Sequence, residues 1–289
     1  MSYGGQAVIE GVMMRSKNHM SVAVRLENGK IKTMHKRLKT SFFSKIFFIR
    51  GIYNLFDMVR IGSKALNWSA DQQMNEGSDE SSKWDTLLIV LTTIFSIAFA
   101  LVLFKAVPFF LSGYLVGSKN AILFNFLDGL IKLILILTYI FLIGLFKETG
   151  RIFEYHGAEH KAVGCAEAGK ELNVKNCKKY KKEHKRCGTN FLFFVIFVSM
   201  IIYLFIPLSM GWTYNLILRV AFLPIIAGIS YEILKLNGKY NNWVTDLFSL
   251  PGIIMQKLTT KEPNDKQIEV AIEALKIVMN LENKHSKKA

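Results

Sequence analysis

Two histidines, His156 and His160, lie four positions apart in the segment 155–161. On a helix this spacing puts both imidazoles on one face, one turn apart, where they can bind the same metal ion. With Glu159 between them, the pattern His-x-x-Glu-His is that of the inverted zinc peptidases, whose histidines bind zinc and whose glutamate is the general base. Zinc lowers the pKa of bound water to about 7, so that a nearby carboxylate can take its proton.

A second pair of metal-binding residue types, His184 and Cys187, follows with 23 residues between the pairs. Two close pairs separated by a loop are typical of structural zinc sites, in which four ligands leave no position for water. A three-ligand site would instead leave room for catalysis. The sequence therefore predicts zinc bound by His156 and His160, with His184 or Cys187 completing an open site in which Glu159 is the catalytic base; zinc held by all four residues would be structural. Structural zinc, or surface histidines without a metal, are the alternatives.

Three further residues are of types that can do chemistry. Glu10 stands between apolar residues and Gly11 in the glycine-rich segment 4–15, where it could be an additional ligand or base, or simply end a strand. Cys165 and Cys177 fall in the same basic segment as Cys187, and an odd number of clustered cysteines argues against a disulfide framework. We expect these two to be ordinary thiols.

The segments that must position these residues are divided into apolar and charged blocks. The chain has 289 residues, a mean hydropathy of +0.26 and a formal net charge of +15. Long apolar blocks indicate membrane-spanning helices, because a helix of a soluble protein buries only one stripe. The basic excess suits contact with anionic lipid headgroups, with ribosomal RNA as the alternative partner.

Four apolar segments are long enough to be membrane spans, at residues 86–104, 121–146, 191–208 and 215–236. Lys and Arg number 13 in residues 1–85 and 11 in residues 147–190, against two in residues 105–120 and none in residues 209–214. Cytoplasmic segments carry the excess of Lys and Arg. We therefore expect the N-terminus, the middle loop and the C-terminus in the cytoplasm.

Charged residues inside the apolar segments admit two arrangements. Asp128 and Lys132 could pair within the second span, or that span could begin near Leu130 and leave Asp128 in the outer interface, which is the favoured arrangement. We expect Arg219 and Glu232 to be interfacial anchors. So few buried charges make an ion pump or transporter a poor interpretation.

The remaining segments are predicted to be small, interfacial or peripheral. Alternating residues around Asn28-Gly29 predict a hairpin with a type I′ turn, and residues 7–9 could add a third strand. Helix is expected from the second span to about residue 168, with a kink at Pro224 in the fourth span.

The chain thus divides into six parts. The N-terminal half has a cytosolic β unit (1–40), an amphipathic interfacial helix (42–68) with a loop (41–85 together), and transmembrane helices 1 and 2 (86–146). A cytosolic basic loop (147–190), transmembrane helices 3 and 4 (191–236) and a cytosolic C-terminal segment (237–289) follow. Within the last part, an apolar segment broken by Pro251 precedes an amphipathic helix that we expect to dock on the cytosolic domain.

Four segments together resemble the YqhQ family of bacterial membrane proteins, over essentially the whole chain: residues 4–15, 155–161, 186–189 and 258–263. The resemblance implies a multi-pass protein of the bacterial plasma membrane. Members of the family are commonly labelled predicted metal-dependent enzymes, a label that rests on the same His and Glu residues. Lys185 stands where the family pattern has proline, which removes no ligand.

These expectations describe a mainly α-helical, polytopic membrane protein with four transmembrane helices, interfacial amphipathic helices and a small N-terminal β-hairpin or sheet unit. The leading hypothesis is a membrane-anchored, zinc-dependent hydrolase that acts at the cytoplasmic face. The alternative is a non-enzymatic scaffold whose structural zinc stabilises a platform for the translocon, the ribosome or anionic lipid. A homo-oligomer is compatible with either hypothesis.

Overall fold

The computed structural model describes residues 3–39, 41–44, 46–73, 83–117, 120–240 and 242–286. Within them the chain is mainly helical, with one small sheet at its N-terminus. The strands are β1 (Gly4–Val8), β2 (Gly11–Arg15), β3 (His19–Arg25) and β4 (Ile31–Arg37). The helices are α1 (Ile49–Gln73), α2 (Lys83–Leu101), α3 (Val107–Val116), α4 (Ala121–Ile143), α5 (Lys147–Glu167), α6 (Val174–Cys177), α7 (Gly188–Tyr203), α8 (Trp212–Ala221), α9 (Leu223–Lys239), α10 (Trp243–Thr259) and α11 (Asp265–Ser286).

The sheet is an antiparallel meander in the order β1-β2-β3-β4, one strand more than the sequence indicated. The predicted hairpin is present, but its turn is not type I′. Only Gly29, at φ 82°, has a positive φ there, and its N–H donates to the carbonyl of Leu26 at 2.9 Å. This is the longer hairpin loop in which a left-handed glycine follows a type I turn.

The C-terminal helix α11 packs on the sheet and on α5. Its residues Ile268, Ile272 and Leu275 are buried in one core with Val12 of β2 and Tyr155 of α5. Apolar positions three and four apart on α11 form one face, which the sheet and α5 cover. A mixed α/β unit is therefore assembled from the two ends of the chain and its middle.

Two stretches of helix in the described part of the chain are long and apolar enough to cross a membrane, Val90–Val116 and Ala121–Ile143. The first is longer than the predicted 86–104, because a π-helical turn at Val102–Ala106 joins α2 to α3 without a break. Lys105 does not end this span, since its ammonium group turns inward and donates to Tyr203 Oη at 2.7 Å.

The other two predicted spans are shorter or bent. Helix α7 has 16 residues and rises about 24 Å, less than the roughly 30 Å of the hydrocarbon core. Helices α8 and α9 meet at 43°, next to the predicted kink at Pro224, and form a third candidate span only if the bent pair is counted as one. Of the four predicted spans, the described part of the chain thus has two candidates, or three if the bent pair is one span.

Three more helices differ from the predictions in where they begin, end or continue. Helix α1 runs over Ile49–Gln73 rather than 42–68, and a separate 3-10 turn forms at Phe42–Ser44. Helix α4 ends at Ile143, and α5 begins at Lys147 as a separate helix, so that no continuous helix joins the second span to the histidines. Helix α10 is continuous through Pro251, which the sequence expected to break the segment.

The first half of helix α1 carries its polar stripe inward. Arg50 pairs with Glu232 of α9, Asn54 Nδ2 donates to Tyr231 Oη at 2.9 Å, and Asp57 accepts from Arg15 at 2.9 Å. The large apolar side chains of this half are exposed instead, at Ile49, Ile52, Leu55, Phe56, Met58 and Val59. In the second half, Ile61 and Ala65 are buried against the sheet, and Arg60 and Lys64 are exposed. A helix with polar residues inside and apolar residues outside is typical of a lipid environment.

The predicted positions of the charges in the spans need correction. Asp128 and Lys132 do pair within α4, and both are buried. Arg219 is not an interfacial anchor, because it is 1% exposed and donates to Asp128 at 3.0 Å. Glu232 is also buried, against Arg50. Contacts between helices bury Asp128, Arg219 and Glu232, whereas reasoning from each helix by itself placed these charges at the membrane interface.

Candidate metal centre

Three of the four predicted ligands, His156, His160 and Cys187, come together. One nitrogen of each imidazole and the thiol sulfur lie within 4.8 Å of one another. The imidazole rings are 4.5 Å apart between centroids, and Cys187 Sγ is 3.3 Å from His156 Nε2. His160 and Cys187 are buried, and His156 is half-buried. The three ligand atoms are therefore accessible to solvent only on the side of His156.

Two helices and a turn set this geometry. The histidines are one turn apart on α5, as their spacing predicted. Cys187 is the residue before α7, where its sulfur accepts the N–H of Thr189 at 3.4 Å and caps the helix. The cysteine is therefore held at the end of an apolar helix, next to the face of α5 that carries the histidines.

Backbone carbonyls orient both imidazoles. His156 Nδ1 lies 2.9 Å from the carbonyl of Thr259, and His160 Nδ1 lies within hydrogen-bond distance of the carbonyl of Lys182. A carbonyl can only accept, so each Nδ1 carries the proton and each Nε2 keeps a lone pair when the ring is neutral. This is how metal-binding histidines are usually held.

Glu159 is the neighbour of this group that could act as a base. Its Oε2 lies 3.3 Å from His160 Nε2, and its side chain is buried. Two acceptors face each other here if the imidazole is neutral, and a cation or a proton between them would relieve the repulsion. The same holds for His156 Nε2 and a deprotonated Cys187.

His184, the fourth predicted ligand, lies beside the group but is engaged elsewhere. Its ring is 5.8 Å from that of His160. Its Nδ1 accepts the N–H of Arg186 at 3.2 Å, which leaves Nε2 to donate to Glu167 at 3.1 Å. Burial raises the pKa of Glu167, but the bond and charge of His184 and the charge of Arg186 outweigh it and hold that pKa below its ordinary value.

Sequence reasoning missed Gln256, which fixes the loop that carries His184 and Cys187. This fully buried amide accepts the N–H of His184 at 2.7 Å and donates to the carbonyl of the same residue at 2.9 Å. It also donates to Asn190 Oδ1 at 3.1 Å. A glutamine inside an apolar helix was the available signal, because such a group needs partners.

Two glycines permit the close approaches around the centre. A Cβ at Gly157 would lie 2.2 Å from the carbonyl oxygen of Lys261, in the segment that follows Thr259. A Cβ at Gly5 of β1 would lie 2.3 Å from the carbonyl of Met13 and 3.1 Å from Cγ of Glu159. Gly5 of segment 4–15 and Gly157 of segment 155–161 thus both allow backbone to approach closely around the same site.

Glu10 does not join the three ligands. It lies in the β1–β2 turn at φ 51°, where its carboxylate pairs with Arg151 and accepts from Tyr155 Oη at 3.2 Å. Burial first, and then the charge of Glu10, raise the pKa of the Tyr155 hydroxyl. These contacts attach the turn to α5.

Cys165 and Cys177 are free, buried and apart from the ligands, in the core beneath α11. Burial, together with the hydrogen bond to Cys165, raises the pKa of Cys177 to about 12. A thiol with such a pKa stays protonated at neutral pH and is a poor nucleophile.

The donor set is one that a zinc ion accepts. Two imidazole nitrogens and one thiolate, with carbonyls behind the imidazoles, match the ligand types and the outer support of zinc sites. Three protein ligands would leave a coordination position free, and His184 would have to leave Glu167 to fill it.

The comparisons with known proteins agree with the resemblance. Residues 46–281 match the family described as "Protein of unknown function (DUF1385)". The "Uncharacterized protein YqhQ" of Bacillus subtilis (strain 168) is 36% identical over 299 residues, which cover 97% of this chain and 93% of the relative. No solved structure matches the chain. The chain therefore belongs to the YqhQ (DUF1385) family.

Proposed function

We propose that this chain is a membrane-anchored, zinc-dependent hydrolase that acts at the cytoplasmic face of the bacterial plasma membrane. The observation that carries the proposal is the convergence of His156, His160 and Cys187, with both imidazoles oriented through their Nδ1 atoms. Bound zinc would supply a Lewis acid that lowers the pKa of a bound water to about 7.

The protein groups have distinct tasks in this proposal. His156, His160 and Cys187 hold the metal, and the carbonyls of Thr259 and Lys182 keep the two rings in place. Glu159, with its carboxylate beside His160, accepts a proton and returns it to a leaving group.

The proposed membrane arrangement has four crossings, with both chain ends in the cytoplasm. The apolar run continues beyond α7 through the exposed Leu204 and Phe205, which would lengthen this short span. The α8–α9 pair would supply the fourth crossing. Cys187 at the other end of α7 then lies at the cytoplasmic surface, and the Lys and Arg distribution supports this orientation.

Lipid is the partner that the exposed side chains favour. Besides α1, helix α10 exposes Trp243, Leu247, Leu250 and Ile254 at helical spacing, while its opposite face holds Gln256. The two apolar faces would lie in the cytoplasmic leaflet, with anionic headgroups against the surrounding Lys and Arg.

A scaffold with a structural zinc is the second candidate. The centre connects α5, the start of α7 and the end of α10, so that a metal there would fasten three elements. If His184 turned from Glu167 to the metal, the site would be closed and no water position would remain. The platform would then serve a membrane-protein partner, the ribosome or anionic lipid.

Zinc analysis of the purified protein tests the proposal. We expect one zinc per chain in the wild type and in Glu159→Gln, and less than about a tenth of that in Cys187→Ala, because a ligand is lost. Glu148→Gln, on the exposed start of the same helix, is the control. Metal-free but well-folded wild-type protein would contradict both candidates.

The functional readout separates the two candidates. An enzyme predicts that Glu159→Gln keeps zinc and thermal stability but fails to complement a deletion strain. A scaffold predicts full complementation by Glu159→Gln, together with unfolding of Cys187→Ala.

A further inference from the structure

A second polar centre lies among the apolar helices, away from the candidate metal centre. It joins α4, α7, α8 and the π-helical turn, and its members are Lys105, Asn125, Asp128, Lys132, Tyr203 and Arg219. Cys187 caps one end of α7 and Tyr203 is the last residue at the other, so the two centres are roughly 24 Å apart along that helix. Charged groups this deep in apolar helices mark functional sites by default.

Arg219 is the cation at the middle of this centre. Its guanidinium donates to Asp128 Oδ2 at 3.0 Å and to Asn125 Oδ1 at 2.7 Å. The rings of Tyr203, Phe109 and Phe124 lie 4.4, 4.9 and 5.3 Å from its Cζ. Cation–π contacts of this kind hold a guanidinium in place in a dry environment.

Two lysines add further positive charge. Lys132 pairs with the same oxygen of Asp128 that Arg219 uses. Lys105 donates to Tyr203 Oη at 2.7 Å, and Tyr203 donates in turn to the carbonyl of Arg219 at 2.9 Å. Both ammonium groups also lie over the Tyr203 ring, at 5.1 Å for Lys105 and 5.2 Å for Lys132.

The charges do not balance. Three cations (Lys105, Lys132 and Arg219) face one carboxylate (Asp128), which leaves a formal excess of two positive charges among the described residues of this centre. Uncompensated charge is unfavourable in a low-dielectric interior, so the centre must lose protons or gain an anion. Arginine does not deprotonate in proteins, so loss of a proton from each lysine would leave Arg219 balanced by Asp128, and an anion with two negative charges would balance the centre with both lysines charged.

Two buried atoms show what kind of anion fits. Among the described residues, Arg219 Nε lacks an acceptor and Asp128 Oδ1 lacks a donor. Each ammonium group can donate three hydrogen bonds and makes fewer here. The centre therefore offers several N–H donors and one acceptor oxygen, and calls for a ligand with several acceptor oxygens and one O–H.

We propose that this centre binds a singly protonated phosphate group. Its oxygens would accept from Lys105, Lys132 and Arg219, and its O–H would donate to Asp128. Free hydrogen phosphate carries two negative charges, which equal the excess, whereas a phosphomonoester that keeps its O–H carries one and balances the centre with one of the two lysines neutral. The phosphate comes from a free ion or from the phosphomonoester headgroup of a lipid, and the half-buried Lys105 is the entrance.

Thermal unfolding of the detergent-purified full chain tests the proposal. Sodium phosphate should raise the midpoint of unfolding in a saturable way. At matched ionic strength, the sulfate concentration that gives the same rise in the midpoint should be at least tenfold higher than the phosphate concentration. The reason is that sulfate has no proton to donate to Asp128. Equal effects of the two anions, or no saturable effect of phosphate, would overturn the proposal.

Matched variants locate the effect. Lys105→Met removes one ammonium group at a half-buried position and should raise the half-saturating phosphate concentration at least tenfold. Lys147→Met makes the same change at an exposed position beyond the far end of α4 and should leave it unchanged. An unchanged value for Lys105→Met would refute the assignment.

Two further arms separate the sources and the sites. Phosphatidic acid in mixed micelles, against phosphatidylcholine, should mimic phosphate if the natural ligand is a lipid; stabilisation by inorganic phosphate alone assigns the free ion. Repeating the titration in zinc-free Cys187→Ala should preserve the effect. Loss of the effect in Cys187→Ala protein that still unfolds cooperatively would place the phosphate at the metal centre and refute the proposal. If this variant does not fold, the comparison of Lys105→Met with Lys147→Met decides.

Discussion

Gly157 shows how a single missing side chain brings two segments into contact. It lies between the two histidines, and the carbonyl of Lys261 occupies the space that a Cβ would take. The N–H of Lys261 donates to the carbonyl of Phe153 at 2.9 Å, which binds the segment after α10 to α5. The carbonyl of Thr259 is thereby kept at His156.

We expect Gly157→Ala to lower the free energy of unfolding by about 1–3 kcal/mol, because the methyl group overlaps a backbone atom that cannot easily move. Thermal unfolding and zinc content of the purified protein measure the effect. Gly164→Ala is the control on the same helix, since its Cβ would lie 3.5 Å from Tyr180, an ordinary contact. Equal stability of the two variants would contradict the prediction.

At the scale of elements, α11 is attached to the sheet by one carboxylate. Glu282 accepts from Ser16 Oγ and Asn18 Nδ2 at 2.7 Å each, and from His19 Nδ1 at 3.0 Å. Burial raises the pKa of Glu282, but these hydrogen bonds outweigh it and lower the pKa to about 2. The C-terminal helix is thus fixed near its end, where helices otherwise fray.

This pKa predicts a pH dependence of α11 docking. A carboxyl group whose pKa is lower in the folded than in the unfolded protein stabilises the fold above the unfolded value of about 4.3. That stabilisation, up to about 3 kcal/mol, should be lost as the pH falls from about 4 to 2. Hydrogen exchange of the α11 amides measures it.

The matched variants are Glu282→Gln and Glu273→Gln, the latter at an exposed position on the same helix. At pH 7, Glu282→Gln should speed exchange at the end of α11 by tenfold or more, and should remove the loss of protection between pH 4 and 2. If Glu273→Gln has the same effect, the hydrogen bonds to the sheet are not the cause.

At the scale of the whole molecule, two polar centres lie at opposite ends of α7. The candidate metal ligands belong to the end joined to the sheet, α5 and α11, whereas Arg219 and its partners lie among apolar helices. In the proposed orientation, one centre is at the cytoplasmic surface and the other lies within the bilayer. This separation makes the orientation of the chain a testable property.

Labelling of single cysteines with a membrane-impermeant maleimide tests the orientation. Met210, 49% exposed in the turn between α7 and α8, should be labelled in intact cells after Met210→Cys. Lys147→Cys, at the exposed start of α5, should be labelled only after permeabilisation. The reverse pattern would place the metal centre outside the cell, and wild-type protein with its buried cysteines gives the background.

The sequence by itself determined the features that depend on local pattern. The apolar blocks, the hairpin around Gly29, the amphipathic α11 and the shared face of His156 and His160 follow from residue periodicity, because neighbours in the chain set them. The family was also visible in the sequence, and the comparisons confirm it. The predicted zinc and the catalytic role of Glu159 stay predictions.

The tertiary structure alone decided which side chains meet. The sequence could not show that Cys187 joins the two histidines while His184 pairs with Glu167, because that choice depends on how α10 holds the loop through Gln256. It placed Arg219 at an interface, whereas the fold buries it against Asp128 of α4. A charge on an isolated helix is best placed in water, but a partner 91 residues away can make burial favourable, and only packing brings the two together.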